Sequence, residues 1–189
     1  MSEPVSRADV VEFLAGRSPV AVGQAAWANG TMPMAISSYF TPDHPPLDLI
    51  TSVRGVLLRD DQVCVVESSD GTFHLTPGGR REIGETLEQT LRREILEETG
   101  WSIAPPHRLG FMHFHHLVPA PAGHPYAHPD FFQLIYATLA LEHHPEAQET
   151  ESEWEVSSVL RPVGESAEFD VTPSDLAFLA EACKVTRGA

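Results

Sequence analysis

The segment PGGRREIGETLEQTLRREILEETGW, residues 77–101, constrains the fold of this chain more than any other part of it. Thr86 followed three residues later by Gln89 forms a capping box, which predicts that a helix begins there. Gly100 suits the left-handed conformation in which helices commonly end. Apolar residues at helical spacing form one stripe along this helix: Leu87, Leu91 and Ile95. The helix is therefore predicted to pack by that stripe against the body of the protein.

The apolar stripe changes to carboxylates in the last turn of the predicted helix. Projection at 100° per residue places Glu94 and Glu98 within about 20° of the stripe, with Glu97 beside them. Like charges at this spacing repel, and carboxylates at a helix C-terminus oppose the macrodipole by about 0.3–1 kcal/mol each. A positive group must therefore lie against the cluster, and clustered carboxylates suit Mg²⁺ or Mn²⁺. Taken alone, the segment also fits a solvated acidic helix end.

The loop before the helix contains glycines that allow a ligand to approach the backbone closely. Loop and helix together resemble the signature of the Nudix hydrolases: a Gly, five residues, Glu, seven residues, then Arg-Glu-apolar-x-Glu-Glu-x-Gly-apolar. Every spacing is met, and the matching residues are Gly79, Glu85, Arg93, Glu94, Ile95, Glu97, Glu98, Gly100 and Trp101. The one departure is Trp101, where a smaller aliphatic residue is usual, and it concerns local packing.

The resemblance implies an α/β fold, the Nudix-type α/β/α sandwich, in which a mixed β-sheet lies between helices. We assign this domain to residues 47–189. Three prolines in TPDHPP, residues 41–46, cannot lie inside regular structure, so residues 1–46 are predicted to form an N-terminal helix and strand extension.

Hydrophobic periodicity and turn residues predict further elements along the chain. Helices are expected over 7–15, with Ser6 as N-cap, and over 173–184, with Thr172 as N-cap. Strands are expected over 32–40, 49–59, 62–67, 110–118, 131–141 and 154–156.

Site roles follow from the resemblance alone. Glu94, Glu97 and Glu98 would ligate one to three Mg²⁺ or Mn²⁺ ions, helped by the carbonyl of Gly79. Glu85 would pair with Arg93 and hold the loop against the helix. The catalytic set is thus Glu97, Glu98, Arg93 and Glu85. The general base would be Glu97, Glu98 or an acid from a distal loop, the candidates there being Glu149, Glu151 and Glu153.

The substrate implied by the resemblance is a small phosphorylated molecule, a nucleoside diphosphate linked to another group. The enzyme would hydrolyse the diphosphate linkage of a nucleotide, nucleotide sugar or dinucleotide. Arg80, His115 and Glu151 are the predicted substrate contacts. The motif does not specify one substrate within this class.

The histidines of MHFHHL, residues 112–117, look like metal ligands, and strand alternation puts His113 and His115 on one face. No Cys or second His pair lies at a familiar zinc spacing. A substrate contact or a core histidine is therefore favoured over a zinc site for these residues.

The net charge of −15 repels phosphodiester backbones, which argues against a nucleic-acid polymer as partner. No run approaches 18 apolar residues and the N-terminus lacks the features of a signal peptide, so we expect no membrane segment and a cytoplasmic location. Members of this family are often dimers, so a homodimer is an open expectation.

Two other functions are compatible with a Nudix-like chain. A non-catalytic module could sense ADP-ribose or another nucleotide, although such a module would be expected to have lost motif carboxylates, and here they are all present. An isomerase resembling the isopentenyl diphosphate isomerases would need catalytic groups that we do not find. The intact carboxylate cluster favours the hydrolase.

Overall fold

The computed structural model describes residues 4–27, 30–69, 71–148 and 155–187. Short 3-10 helices at Leu47–Leu49, Pro145–Ala147 and Val163–Glu168 join the main elements. These are, in chain order, α1 (Ala8–Leu14), β1 (Ala21–Trp27), β2 (Met32–Phe40), β3 (Ile50–Arg59), β4 (Gln62–Ser68), β5 (Phe73–His74), β6 (Gly78–Arg80), α2 (Leu87–Thr99), β7 (Trp101–Ile103), β8 (His107–His116), β9 (Asp130–His143), β10 (Glu155–Pro162) and α3 (Pro173–Arg187).

The strands form a mixed sheet in the order β1-β2-β8-β9-β3-β4-β10, with short strands β5, β6 and β7 paired to β4, β3 and β9. The central pair, β3 and β9, is parallel, and the other pairs among the described residues are antiparallel. Strand β3 is buried along nearly its whole length. Such a strand must be covered on both faces, because its side chains alternate between them.

Helices cover both faces of this sheet. Helices α1 and α2 pack on one face, around a core that includes Val53, Leu57 and Phe132. Helix α3 packs on the other face, where Phe178 meets Val56 and Leu58. The observed architecture is the α/β/α sandwich with a mixed sheet, which confirms the predicted fold class.

The N-terminal segment packs on this same sheet. Strand β2 has the predicted bounds and pairs with β8 from Met34↔His116 to Phe40↔Gly110. Strand β1, which the sequence pattern did not reveal, pairs with β2. Helix α1 buries Val10 and sets the Phe13 ring 5.3 Å from that of Phe111. The division of the chain at residue 46 remains a prediction.

One predicted cap is wrong. Helix α1 begins after Arg7, not Ser6, and the Arg7 side chain makes no capping hydrogen bond. The Ser6 hydroxyl instead donates a hydrogen bond to Asp130, 3.2 Å away at the start of β9. By contrast, Thr172 does accept a hydrogen bond from the Asp175 amide at the start of α3, as predicted.

The other predicted strands are present. Where a strand end lies among the described residues, its observed position differs from the predicted one by at most three residues. The exception is the predicted strand over 154–156, which corresponds to β10, a strand that continues to Pro162. Residue 154 lies outside the described residues. Among the helices that the structure describes, none has the length and apolar character needed to cross a membrane. The cellular location remains a prediction.

Candidate active site

Helix α2 is built as the sequence predicts. Thr86 Oγ1 accepts a hydrogen bond from the Gln89 amide at 3.2 Å, and Gln89 Oε1 accepts one from the Thr86 amide at 2.9 Å. Gly100 ends the helix with φ 71°, a conformation that costs a glycine little. Leu91 and Ile95 are fully buried against the sheet. The apolar stripe therefore determines which way the last turn of the helix faces.

Trp101, the departure from the family signature, begins β7 directly after the helix. Its ring lies 4.5 Å from the His143 ring and has the Arg59 guanidinium 4.4 Å from its centroid. The large side chain thus packs against the ends of β9 and β3.

The glycine loop comes to α2 because β6 pairs with β3. Val53 of β3 lies opposite Gly79, and this pairing holds the loop beside the helix. A Cβ atom at Gly79 would lie 2.2 Å from Glu94 Oε2 and 2.6 Å from Glu94 Cδ. Only glycine leaves room for the Glu94 carboxylate against this backbone, so the loop and the helix are fitted to each other at this point.

Arg93 connects the acidic side chains. Its Nε and Nη2 donate to the two carboxylate oxygens of Glu85 at 2.7 and 3.0 Å. Its Nη1 donates to Glu94 Oε1 and to Glu97 Oε2, each at 2.9 Å. Nη2 also reaches the Arg80 carbonyl at 3.1 Å. The contact between Glu85 and Arg93 that the motif implies is present, and Arg93 is the positive group that the cluster requires.

Glu98 faces the same loop from the next turn of α2. The Gly78 amide donates a hydrogen bond to Glu98 Oε2 at 2.7 Å. This contact ties the Glu98 carboxylate to the glycine loop. The structure thus brings Gly79, Glu85, Arg93, Glu94, Glu97 and Glu98 together, and we call Glu94, Glu97 and Glu98 the acidic cluster.

The electrostatic environment differs between these carboxylates. Hydrogen bonds from Arg93, then from the Glu82 amide, lower the pKa of Glu85 to about 2. Burial raises the pKa of Glu94, against the opposing effect of the Arg93 guanidinium. Glu85 therefore stays ionised as a structural partner of Arg93, whereas burial among other carboxylates leaves Glu94 under-compensated.

The donor set fits a hard divalent cation. Three carboxylates lie in the last turns of α2 near a glycine backbone, with their side chains partly buried; those of Glu94 and Glu97 are 15% and 33% exposed. Carboxylate and carbonyl oxygens are the ligands that Mg²⁺ and Mn²⁺ prefer. The Arg93 guanidinium, even with Arg54 acting electrostatically on Glu94, cannot neutralise this set together with Glu85, so an added cation would relieve the remaining repulsion.

Of the three predicted substrate contacts, Arg80 lies next to the acidic cluster. It follows Gly79 in β6, is exposed, and donates a hydrogen bond to the Tyr126 hydroxyl at 3.0 Å. Its guanidinium also lies 4.3 Å from the centroid of the Tyr126 ring. Tyr126 belongs to the proline-rich loop between β8 and β9. Glu149, Glu151 and Glu153 lie outside the described residues.

His115 occupies a different place. His113 Nε2 and His115 Nδ1 lie 2.8 and 2.9 Å from the same oxygen, Oδ1 of Asp130. Ser6 Oγ lies 3.4 Å from His115 Nδ1. We call His113, His115 and Asp130 the His–Asp cluster. Sequence reasoning missed Asp130, although pairing the two predicted strands would have set it opposite His115.

His116 points to the opposite face of β8, as alternation predicts. Its ring is fully buried and stacks on the His128 ring at 5.0 Å, near Trp27 and Phe131. Burial lowers the pKa of His116 to about 4, so it is a neutral core residue at physiological pH. The three histidines of the motif therefore divide between two environments.

Comparison with known proteins gives a family match. A model of the NUDIX domain matches residues 49–181, well over half of the chain. A Bacillus subtilis (strain 168) protein provisionally named as an 8-oxo-dGTP diphosphatase is 40% identical over 55 residues. A MutT-like protein of Streptomyces ambofaciens is 43% identical over 58 residues. The matches cover 29% and 30% of this chain, and 37% and 36% of the relatives' own lengths.

Solved structures share the fold. A pyrophosphohydrolase of Bacillus subtilis, in a mutant form, aligns with a TM-score of 0.58 at 19% identity, covering 87% of this chain and 97% of that one. A NUDIX hydrolase from Nitrosomonas europaea aligns with a TM-score of 0.54 at 22% identity, covering 72% of this chain and 90% of that one. At these identities the likeness shows the fold. With the family model and the intact motif, it establishes that the chain belongs to the Nudix hydrolase family.

Proposed function

We propose that this protein is a metal-dependent hydrolase of a diphosphate linkage in a nucleoside diphosphate joined to another group. The observation that carries the proposal is the acidic cluster, in which Arg93 holds Glu94 and Glu97 beside Gly79 and the Gly78 amide holds Glu98. A run of surface charge would be solvated, whereas these carboxylates are partly buried. Glu94 and Glu97 share the Arg93 guanidinium, and Glu94 lies so close to Gly79 that an added methyl group would displace the carboxylate. Such an arrangement is costly to stability, which supports its use in function.

Glu94, Glu97 and Glu98 would hold Mg²⁺ or Mn²⁺ beside the loop. The bound cation would neutralise charge on the diphosphate and acidify the attacking water. Arg93 orients Glu94 and Glu97 through the two hydrogen bonds from its Nη1. Glu85 takes the other side of the guanidinium and so fixes its position. Arg93 and Glu85 are thus positioning residues in this proposal.

A general base must accept the proton of the attacking water. Glu97 is a third exposed and lies at the open side of the cluster, so water reaches it readily. Glu98 is held in place by a hydrogen bond from the Gly78 amide. We propose that one of these two residues is the base, with the acids at 149, 151 and 153 as the remaining candidates.

Arg80 is proposed to contact the substrate phosphates. It is exposed at the end of β6, directly after Gly79, where its guanidinium could pair with phosphate oxygens. Tyr126 holds the guanidinium by a hydrogen bond and by its ring, which limits the conformations that Arg80 must lose on binding. For His115, the substrate contact remains a prediction that no observed contact supports.

The test is turnover of a panel of nucleotides, nucleotide sugars and dinucleotides, including 8-oxo-dGTP because one relative is named for it. Release of phosphate or mononucleotide is measured with Mg²⁺ or Mn²⁺ for the wild type and for Glu97→Gln and Glu98→Gln. We expect metal-dependent turnover of one substrate group, and a fall of about 100-fold or more in kcat in the variant that lacks the base.

Glu88→Gln is the matched control, because Glu88 lies on the same helix but pairs with Arg92 on its exposed side. It should leave turnover unchanged. Turnover that persists without added metal and in both variants would contradict the proposal. If nothing turns over but one compound raises the melting temperature, the protein is a nucleotide-sensing module instead.

A further inference from the structure

We propose that the His–Asp cluster is a second metal site, specific for a late transition ion of the Zn²⁺ class and separate from the acidic cluster. His113 and His115 come from β8, and Asp130 is the first residue of β9. One ligand atom from each of these three residues lies within 4.8 Å of the other two. The proposal is independent of the hydrolase activity, because it depends on none of the residues of the acidic cluster.

The hydrogen bonding of Asp130 points to a missing cation. Both histidine nitrogens and the Ser6 hydroxyl donate to Oδ1. Oδ2 is buried and has no hydrogen-bond partner among the residues that the structure describes. A buried carboxylate oxygen without a partner costs free energy comparable to a lost hydrogen bond or more. Binding of an ion would release the N–H protons of His113 Nε2 and His115 Nδ1, and the unpartnered Oδ2 leaves Asp130 with an acceptor for the cation.

The ligand types select the metal. Two imidazole nitrogens and one carboxylate suit Zn²⁺, Co²⁺ or Ni²⁺ better than Mg²⁺, which prefers oxygen ligands. In a tetrahedral zinc site, ligand atoms lie about 3.3 Å apart, as bond lengths near 2.0–2.1 Å require. The nitrogen–oxygen distances of 2.8 and 2.9 Å need to open by only a few tenths of an ångström.

The cluster lies at a depth that suits a bound ion. The side chains of His113, His115 and Asp130 are 11%, 18% and 2% exposed. An ion can therefore reach the imidazoles from one side, while the sheet fixes the carboxylate from the other. Phe132 stacks on the His113 ring at 4.9 Å, which limits its rotation and preorganises one ligand.

The site is distinct from the acidic cluster. Gly79 pairs with Val53, and Val53 pairs with Leu134 of β9, four residues beyond Asp130. Four residues along a strand and two strand spacings across the sheet separate the two places by roughly 15 Å. Ser6, which precedes α1, lies against the His–Asp cluster, so a bound ion would tie the N-terminal segment to β8 and β9. Its predicted role is therefore structural.

The experiment is a Co²⁺ titration of the metal-free full-length protein, without a histidine tag and in excess Mg²⁺, followed by visible absorption. We expect one equivalent of Co²⁺ to bind with the d–d bands of a nitrogen-ligated ion and to be displaced by Zn²⁺. His115→Asn should weaken binding at least about tenfold. His107→Asn is the matched control, because His107 is an exposed residue of the same strand. It should bind as the wild type does, and so should Glu97→Gln.

Absence of the bands in the wild type, or unchanged binding by His115→Asn, would overturn the proposal. The proposal would also be overturned if Glu97→Gln lost the absorption bands while His115→Asn kept them, since the Co²⁺ ion would then occupy the acidic cluster. If His115→Asn does not fold, the ring ¹⁵N shifts of the wild type decide. Zn²⁺ must move the resonances of His113 and His115 but not that of His107, and any other pattern contradicts the site.

Discussion

The acidic cluster and the His–Asp cluster lie on the same sheet-and-helix scaffold but are assembled in different ways. The residues of the acidic cluster come from a single helix, and Arg93, one position away from Glu94, connects two of them and Glu85. The His–Asp cluster combines side chains from two strands. Ser6, which contacts the cluster, lies more than 100 positions away from it along the chain.

This difference determines how each cluster can be recognised. Helical spacing alone predicts that Glu94, Glu97 and Glu98 share one end of α2, because the periodicity of a helix is local. Nothing local relates Asp130 to His115, since only the pairing of β8 with β9 places them together. The first cluster is visible as a motif, and the second becomes visible only after the sheet has formed.

The largest expected effect comes from Gly79→Ala, which tests whether the acidic cluster depends on the loop. The added Cβ would lie 2.2 Å from Glu94 Oε2, so the flexible carboxylate must move while the backbone can stay. Because small displacements in an active site are costly, we expect kcat/KM to fall about 100-fold with little change in Tm.

Gly23→Ala is the control for this variant, since a Cβ there meets nothing within 4 Å. Co²⁺ binding to the His–Asp cluster should be the same in both variants. Full activity of Gly79→Ala would mean that activity does not require the close approach of the glycine loop to α2. The acidic cluster would then depend on helix α2 alone.

The next largest effect is expected from removing the positive charge of Arg93. Arg93→Gln leaves Glu85, Glu94 and Glu97 close together without their shared partner, and all are at most a third exposed. We expect the free energy of unfolding to fall by about 2 kcal/mol in metal-free buffer, measured by urea denaturation. Mg²⁺ should restore part of this loss, because a bound cation replaces the missing charge.

Lys184→Gln serves as the comparison, since it removes an exposed ion pair with Glu181. It should change the free energy of unfolding by no more than about 0.5 kcal/mol. Equal effects of the two substitutions would show that Arg93 contributes only as a surface charge.

The free energy of unfolding, measured as a function of pH, distinguishes the contribution of Glu85 from that of the acidic cluster. The pKa of Glu85 is lowered from 4.5 to about 2, so the folded state binds its proton less readily than the unfolded state. The stability that Glu85 contributes is therefore present above pH 4.5 and is lost as the pH falls towards 2. Glu85→Gln should show a shallower loss of unfolding free energy over this range than the wild type does.

Glu181→Gln, which removes a carboxylate from the exposed pair with Lys184, gives the reference slope. Parallel curves for the wild type and Glu85→Gln below pH 4.5 would mean that the contact with Arg93 does not stabilise the fold.

The smallest expected effect concerns Tyr126→Phe. This change keeps the ring beneath Arg80 but removes the hydroxyl that accepts its hydrogen bond. Since such a bond contributes about 0.5–1.5 kcal/mol, we expect a two- to tenfold rise in KM with kcat unchanged. Steady-state kinetics on the substrate found in the panel would measure it. A fall in kcat alone would place Tyr126 in the chemical step instead.

Much of the fold was predictable, and the reasons are specific. The capping box at Thr86 and the left-handed Gly100 set the ends of α2 through local hydrogen bonds and backbone preference. Strand β2 was predicted with its observed bounds because its residues favour an extended, half-buried surface. Strand β1 was missed because most of its residues are exposed, so burial leaves little pattern in its sequence.

The prediction that Ser6 caps α1 was wrong because a tertiary contact overrides the local preference of this residue. A serine before a helix is a good cap by local rules, but its hydroxyl reaches a buried carboxylate in the folded protein. Arg7 then becomes the N-cap and pairs with Asp9 and Asp48. The tertiary contact outcompeted the local one because Asp130 is buried, so a hydrogen bond to its carboxylate stabilises more than a cap at an exposed helix end.

By itself, the amino-acid sequence determined the helix that carries the acidic cluster, the glycine loop before it and the family to which the chain belongs. These features depend on spacing along one segment, and the geometry of a helix converts spacing directly into position. The tertiary structure decided that Asp130 meets His113 and His115, and that the N-terminal segment closes over them. Such contacts depend on strand pairing between distant segments, and pairing is selected by the energy of the whole sheet rather than by any local pattern.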